Sequence, residues 1–148
     1  TRGTSKNPRA QYSEAGPDYL YNVQRLLKKF ETAKSLVPKA VLTPAKYPAR
    51  FGAIYFGSTG PAMQEALEEL AERGIYVNAL RVRAFPFQDE IFDFVASHSK
   101  VFVVEQNRDA QLKTLLVNDA GINPATLIPI LHYDGTPITA RFITGEIA

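Results

Sequence analysis

The sequence has no cysteine, no tryptophan, one methionine and two histidines in 148 residues. Without a thiol the chain cannot close a disulfide, ligate an iron–sulfur cluster, build a Cys-type zinc site or offer a thiolate nucleophile. His98 and His132 are too few for a histidine-rich metal site. No apolar run approaches the ~18–20 residues that span a bilayer, and no secretory leader is visible. The expectation is a cytoplasmic protein with no membrane partner. The chain begins at Thr1 rather than Met, which suggests a piece of something longer.

Charge is present in both signs but unevenly placed. Residues 1–50 carry ten Lys/Arg and three acids, a balance of +7. Residues 51–148 carry seven Lys/Arg and twelve acids, a balance of −5. Half of the ten prolines also fall in the first fifty residues. The chain reads as a basic linker and helical arm, 1–50, ahead of one mildly acidic α/β domain, 51–148. A basic arm can serve nucleic acid, but there is no arginine-rich tract. Tyr12, Tyr19, Tyr21 and Phe30 fit helix packing better than base stacking.

Residues 1–16 are polar and read as loop. From Pro17, Leu20, Val23, Leu27 and Phe30 recur every three or four residues, which predicts an amphipathic helix ending before Pro38. Residues 38–50 hold three prolines and read as an extended linker. From Phe51 onward, short apolar strands alternate with amphipathic helices. Strands are expected at 51–56, 75–82, 100–104 and 126–131, and helices at 60–73, 89–96, 109–118 and 137–147. Gly74 and Gly121 suit helix ends, and Pro129 argues for an edge strand. The pattern predicts a three-layer α/β/α fold with a mostly parallel open sheet of four to five strands, preceded by the helical arm.

In such sheets ligands gather beyond the carboxyl ends of the strands. Three exits carry candidate ligand or interface residues. Gly57, Ser58, Thr59 and Gly60 form either an anion-holding turn at a helix start or a plain tight turn with Pro61 in the first helical position. Neither Gly-x-Gly-x-x-Gly nor Gly-Lys-Ser/Thr is present. Arg81 and Arg83 alternate on one strand face, able to grip an anion or to pair with the glutamates of the preceding helix. Phe85 and Phe87 beyond them are either core or an exposed patch. Glu105, Gln106 and Asn107 follow the KVFVV strand and contact a ligand, pair with a partner's arginine, or cap the next helix. Ser58 has no evident His/Asp partners, both histidines read as surface or satisfied polar residues, and Asp89, Glu90 and Asp93 look like a solvated helix face. No catalytic set and no metal site assemble from these residues.

The same exits carry a family resemblance. YFGSTGPAMQEALEELAERGIYVNALRVRAFPF and KVFVVEQNRDAQLKTLL resemble the C-terminal, transketolase-C-like domain of the α subunit of 2-oxoacid:ferredoxin oxidoreductases, the 2-oxoglutarate and pyruvate enzymes. The family's "G-S-x" turn is matched by Gly57-Ser58, its "LR…P-F/L" exit by Leu80-Arg81 with Pro86-Phe87, and its "VxVVExNxxxQL" block by Val101–Leu112. HYDGTPITARFI looks like the family's "DGxPxT" ending. TRGT and the helix before Pro38 resemble the segment joining the cofactor-binding domain to this one. Two departures stand out. Ala110 occupies a position where many members have glycine. Residues 5–10, SKNPRA, differ from the family's "GHDExG" loop, so contacts made by that loop are not carried over.

The resemblance implies an enzyme that decarboxylates a 2-oxoacid, with 2-oxoglutarate favoured. It uses thiamine diphosphate, passes electrons through an iron–sulfur cluster to ferredoxin, and forms an acyl-CoA. The implied partners are N-terminal domains of the same polypeptide and a β subunit holding the diphosphate and Mg²⁺. The present chain then supplies scaffold and interface, is inactive alone and binds no cofactor alone. Two other readings stay open: a subunit-assembly domain of a transketolase-like or 2-oxoacid dehydrogenase β subunit, and a free-standing anion- or nucleotide-binding α/β module.

Overall fold

The structure is a computed structural model that describes residues 3–148, apart from the side chain of Ala120. The chain divides into two compact units, one ending at Val37 and one running from Pro38 to Ala148.

The first unit is a small hairpin and a long helix. β1 (Ser5–Lys6) pairs antiparallel with β2 (Tyr12–Ser13), in a segment expected to be loop. Asn7 closes the turn: its Oδ1 accepts the Arg9 and Gln11 amides at 3.0 and 3.1 Å. This is the Asx geometry that lets a short polar side chain replace a backbone turn. α1 (Gly16–Leu36) carries Pro17 in its first turn, where a residue without an amide leaves no bond unmade. Asn22 of α1 donates to Ser5 Oγ at 2.7 Å and to the Lys6 carbonyl at 2.8 Å, holding the hairpin to the helix. None of the α1 side chains is buried, the Leu20, Val23, Leu27 and Phe30 stripe included.

The second unit is the expected three-layer α/β/α body. Its strands are β3 (Val41–Thr43), β4 (Phe51–Phe56), β5 (Val77–Val82), β6 (Lys100–Glu105) and β7 (Leu127–Leu131). The sheet order is β3-β5-β4-β6-β7, parallel except for β3. Pro129 does sit on an edge strand, where a missing amide costs no ladder bond on the open side. β3 departs from the expected linker. It lies antiparallel to β5 in the register Val41↔Arg81 and Thr43↔Ala79, covering an edge that would otherwise present unpaired backbone groups. The boundary expected after residue 50 therefore falls inside the second unit.

Alternation along each strand sorts the core onto two faces. Ala53, Tyr55, Phe102 and Val104 meet Met63, Ala66 and Leu70 of α2 (Gly60–Glu72) and Ile143 of α5 (Ala140–Ile147). Ile54, Leu80, Val101 and Val103 meet Ile91 and Phe94 of α3 (Asp89–Ala96) and Leu112 and Leu116 of α4 (Gln111–Ala120). Full burial of one such aliphatic side chain contributes about 1.5–3 kcal/mol. The β4–β5 crossover steps one way with α2 on the first face. The β5–β6 and β6–β7 crossovers step the other way with α3 and α4 on the second. Direction and face reverse together, so all three crossovers share one hand. The reversal places a crevice at the carboxyl ends of β4 and β6, and this crevice positions the candidate site.

Candidate functional site at the strand exits

β4 ends on Phe56 and the chain turns at Gly57, whose φ of +60° lies in the region a side chain disfavours. Residues Gly57–Thr59 make one 3₁₀ turn that runs directly into α2. Thr59 is buried and Ser58 exposed. Arg81, opposite Tyr55 in the β4–β5 register, donates from Nη2 to the Gly57 carbonyl at 3.1 Å. A Cβ on Gly60 would lie 3.6 Å from the Arg81 guanidinium carbon, so Arg81 lies along the start of α2. Its partner is thus a backbone carbonyl of the turn, not the glutamate row of α2. Burial pushes the Tyr55 phenol above its ordinary value, and the Arg81 charge pulls it back.

The Glu105–Asn107 block closes the crevice from the other side. Gln106 Nε2 donates to Ser58 Oγ at 3.0 Å and Thr59 Oγ1 at 3.2 Å, while its Oε1 accepts the Ile138 amide at 3.4 Å. One side chain therefore ties the exits of β4 and β6 to the segment before α5. Glu105 is fully buried. Its carboxylate accepts the Leu112 amide at 2.7 Å, the Lys113 amide at 3.1 Å and the Asn107 amide nitrogen at 2.8 Å. Those two backbone donors are unpaired first-turn groups of α4, and the helix dipole favours a negative charge there. Asn107 Oδ1 takes the Asp109 and Gln111 amides at 3.1 and 3.2 Å. Of the readings open for this block, Glu105 and Asn107 cap the helix, and Glu105 is too enclosed to meet a partner's arginine.

Arg83 stands apart from this network. It lines a shallow depression of about 420 Å³ with Phe56, Val82, Phe85 and Leu115. Phe85 and Leu115 are exposed there, whereas Phe87 is in the core, so the two phenylalanines flanking Pro86 divide. The structure thus brings Gly57, Ser58, Thr59, Gly60, Arg81 and Gln106 together, sets Glu105 and Asn107 under α4, and leaves Arg83 on the apolar rim.

Three contacts had no counterpart in the sequence reading. The first is the Ile138 amide on Gln106. The second is the His132–Asp134 pair, with Nε2 and Oδ1 3.5 Å apart. The third is the half-buried Asn78–His98 contact at 2.8 Å. A polar Asn78 inside the apolar run VNALRV was the one signal available for the last.

Among the described residues no group of three or more His, Asp or Glu side chains is placed to hold a metal ion. No helix among them is long and apolar enough to cross a membrane. The absence of cysteine means the residues of this chain do not fit an iron–sulfur cluster.

No protein-family model matches the chain. The α subunit of 2-oxoacid:ferredoxin oxidoreductase 2 from Aeropyrum pernix is 30% identical over 125 residues, 81% of this chain and 19% of that protein. The chain belongs to the 2-oxoacid:ferredoxin oxidoreductase α-subunit family. It spans about a fifth of the length of that curated relative. The solved 2-oxoglutarate:ferredoxin oxidoreductase from Magnetococcus marinus, with 2-oxoglutarate, coenzyme A and succinyl-CoA bound, shares the fold. Its TM-score is 0.82 at 22% identity, over 96% of this chain and 25% of that one. The α chain of a probable 2-oxoacid ferredoxin oxidoreductase from Thermoplasma acidophilum is 31% identical, over 74% of this chain and 93% of that one, at a TM-score of 0.49. Ala110 itself stands at φ +49°, a left-handed conformation that a glycine adopts without the steric cost of a Cβ.

Proposed function

We propose that this chain is the transketolase-C-like domain of the α subunit of a thiamine-diphosphate-dependent 2-oxoacid:ferredoxin oxidoreductase. It acts there as scaffold and interface. The whole enzyme decarboxylates a 2-oxoacid, with 2-oxoglutarate favoured, passes electrons to ferredoxin and forms an acyl-CoA. Thiamine diphosphate supplies the electron sink when bound, and an iron–sulfur cluster carries the electrons onward. Neighbouring domains and a β subunit hold these groups with Mg²⁺, in the cytoplasm.

The observation that carries this reading is the mutual satisfaction of polar groups at the sheet's carboxyl edge. Gln106 bonds Ser58, Thr59 and Ile138, Glu105 bonds the start of α4, and Arg81 bonds the Gly57 carbonyl. A reacting or phosphate-gripping site holds donors open for its ligand; here they are turned on one another. These residues position the exits as rigid surfaces for the rest of the enzyme.

The test has two arms. Residues 1–148 alone are titrated calorimetrically with nucleotides, coenzyme A and thiamine diphosphate, and assayed for 2-oxoacid-dependent ferredoxin reduction. No turnover and no micromolar binding are expected. The complete α subunit with its β subunit is expected to turn over. Micromolar binding by the isolated chain would replace the scaffold with a free-standing ligand-binding module. Co-purification of the α subunit with a lipoyl-bearing partner in place of ferredoxin reduction would move it to the dehydrogenase class.

A further inference from the structure

At the amino ends of β5 and β6, opposite the strand exits, three distant segments share one line of hydrogen bonds. The Ala45 amide donates to Asn78 Oδ1 at 2.9 Å. Asn78 Nδ2 lies 2.8 Å from His98 Nε2, and His98 Nδ1 lies 2.7 Å from the Phe94 carbonyl. Ser97 Oγ sits 3.2 Å from the same Nδ1. His98 is only 9% exposed, and its ring packs on Phe94 with centroids 4.4 Å apart.

The partners dictate the protons. A carbonyl only accepts, so the Phe94 contact requires the proton on Nδ1. Nε2 then carries the lone pair and takes the Asn78 amide N–H. That orientation leaves Asn78 Oδ1 facing Ala45, whose N–H it accepts. The line is complete only with a neutral ring in this tautomer.

An imidazolium donates from both nitrogens. Its Nε2–H would meet the Asn78 amino group, donor against donor. Turning the Asn78 amide over repairs that contact but sets the amino group against the Ala45 N–H. Either arrangement forfeits one of the two bonds, and the charge-assisted bond from the imidazolium to the Asn78 oxygen favours the turned amide, which gives up Ala45. Ala45 lies just beyond β3, whose three residues are all exposed, with Val41 and Leu42 at 46% and 54%. So short an edge strand has few other bonds holding it to β5.

We propose that His98 and Asn78 form a proton-operated latch: protonation of the His98 ring releases Ala45 and loosens β3 from the edge of the sheet. The groups meeting the ring are Asn78 of β5, Phe94 of α3, Ser97 just after it, and Gly52 of β4, none of them charged. The flanking cations are engaged elsewhere: Arg50 Nε donates to Ser99 Oγ at 3.1 Å and Lys100 Nζ to the Ala125 carbonyl at 2.7 Å. The switch therefore rests on the ring and the amide, not on an ion pair.

The experiment follows two signals in the intact chain by NMR as pH is lowered. One is the His98 ring; the other is amide exchange at Ala45 and through β3, corrected for the intrinsic pH dependence of exchange. Loss of one hydrogen bond predicts exchange at Ala45 faster by about 5- to 10-fold over the interval in which the ring titrates, with β4 and β6 unchanged. His98→Gln, which cannot titrate, is expected to abolish the step. A flat Ala45 profile across the ring's titration overturns the latch, and so does an undiminished step in His98→Gln. If that variant fails to fold, the coincidence or separation of the two wild-type signals decides.

Discussion

The buried carboxylate of Glu105 and the backbone amide of Leu112 lie 2.7 Å apart, the shortest of the three hydrogen bonds the carboxylate accepts and one of the two that seat α4 on the end of β6. A strand's last side chain thus serves as the next helix's cap. Glu105→Gln keeps the volume but sets an amino group against an N–H donor. With a fully buried site and charge-assisted bonds, the expected loss is about 2–3 kcal/mol, read from the urea midpoint at constant m-value. An unchanged midpoint would mean that water, not Glu105, satisfies α4.

Ala110 stands at φ +49°, ψ +51° immediately before α4. A left-handed alanine costs about 1–2 kcal/mol, and glycine returns about 0.4–1 kcal/mol of that as added unfolded-state entropy. Ala110→Gly is therefore expected to raise stability by about 0.5–1 kcal/mol, seen as a higher thermal midpoint. Ala10, at φ +63° in the hairpin turn, offers the same test in the first unit.

Gly52 is the opposite case, a glycine kept for space. A Cβ there would lie 2.7 Å from Phe94 Cε1, 2.9 Å from Cζ and 3.1 Å from His98 Cγ. The ring is buried between α3 and the sheet and has little room to retreat. Gly52→Ala is expected to cost about 1–3 kcal/mol. The His98 ring resonances should shift with it, which a general loosening of the fold would not single out.

Asp134 organises the turn before α5, accepting the Thr136 amide at 2.8 Å and its hydroxyl at 2.7 Å. Those bonds, with His132 adding its charge, hold the carboxyl below its ordinary value of 3.8. A depressed folded value means stability that is complete above 3.8 and fades as pH falls through the folded value. Asp134→Asn can still accept both bonds but does not titrate. Its stability, measured by denaturant titration from pH 5 downward, should lack the part of the acid decline that this residue causes.

Much of the body is legible in the sequence. Met63, Ala66 and Leu70 recur at helical spacing and are buried together. The apolar runs at 51–56 and 100–104 became two of the three interior strands. Gly121, at φ +63°, ends α4 as a left-handed residue should. Two short elements escaped. The hairpin at Ser5–Ser13 hides in polar residues with no periodicity. β3 hides among prolines, although Val41 and Thr43 are β-branched and the stretch Lys39–Thr43 is free of them.

The sequence by itself determined the alternation of strands and helices from Phe51 onward, the buried face of α2 and the edge position of Pro129. These follow from periodicity and backbone chemistry within a few residues of each site. Only the tertiary structure decided that Gln106 would bond Ser58 and Ile138, that Glu105 would be sealed under α4, and that Asn78 would join Ala45 to His98. Each of these contacts, apart from the Glu105 cap, depends on which strands lie side by side. That order reverses at β4, and a hydrophobic pattern carries no record of it. The missing cysteines exclude thiol chemistry and cluster ligation; the fold supplies the reason the remaining polar residues hold the exits together.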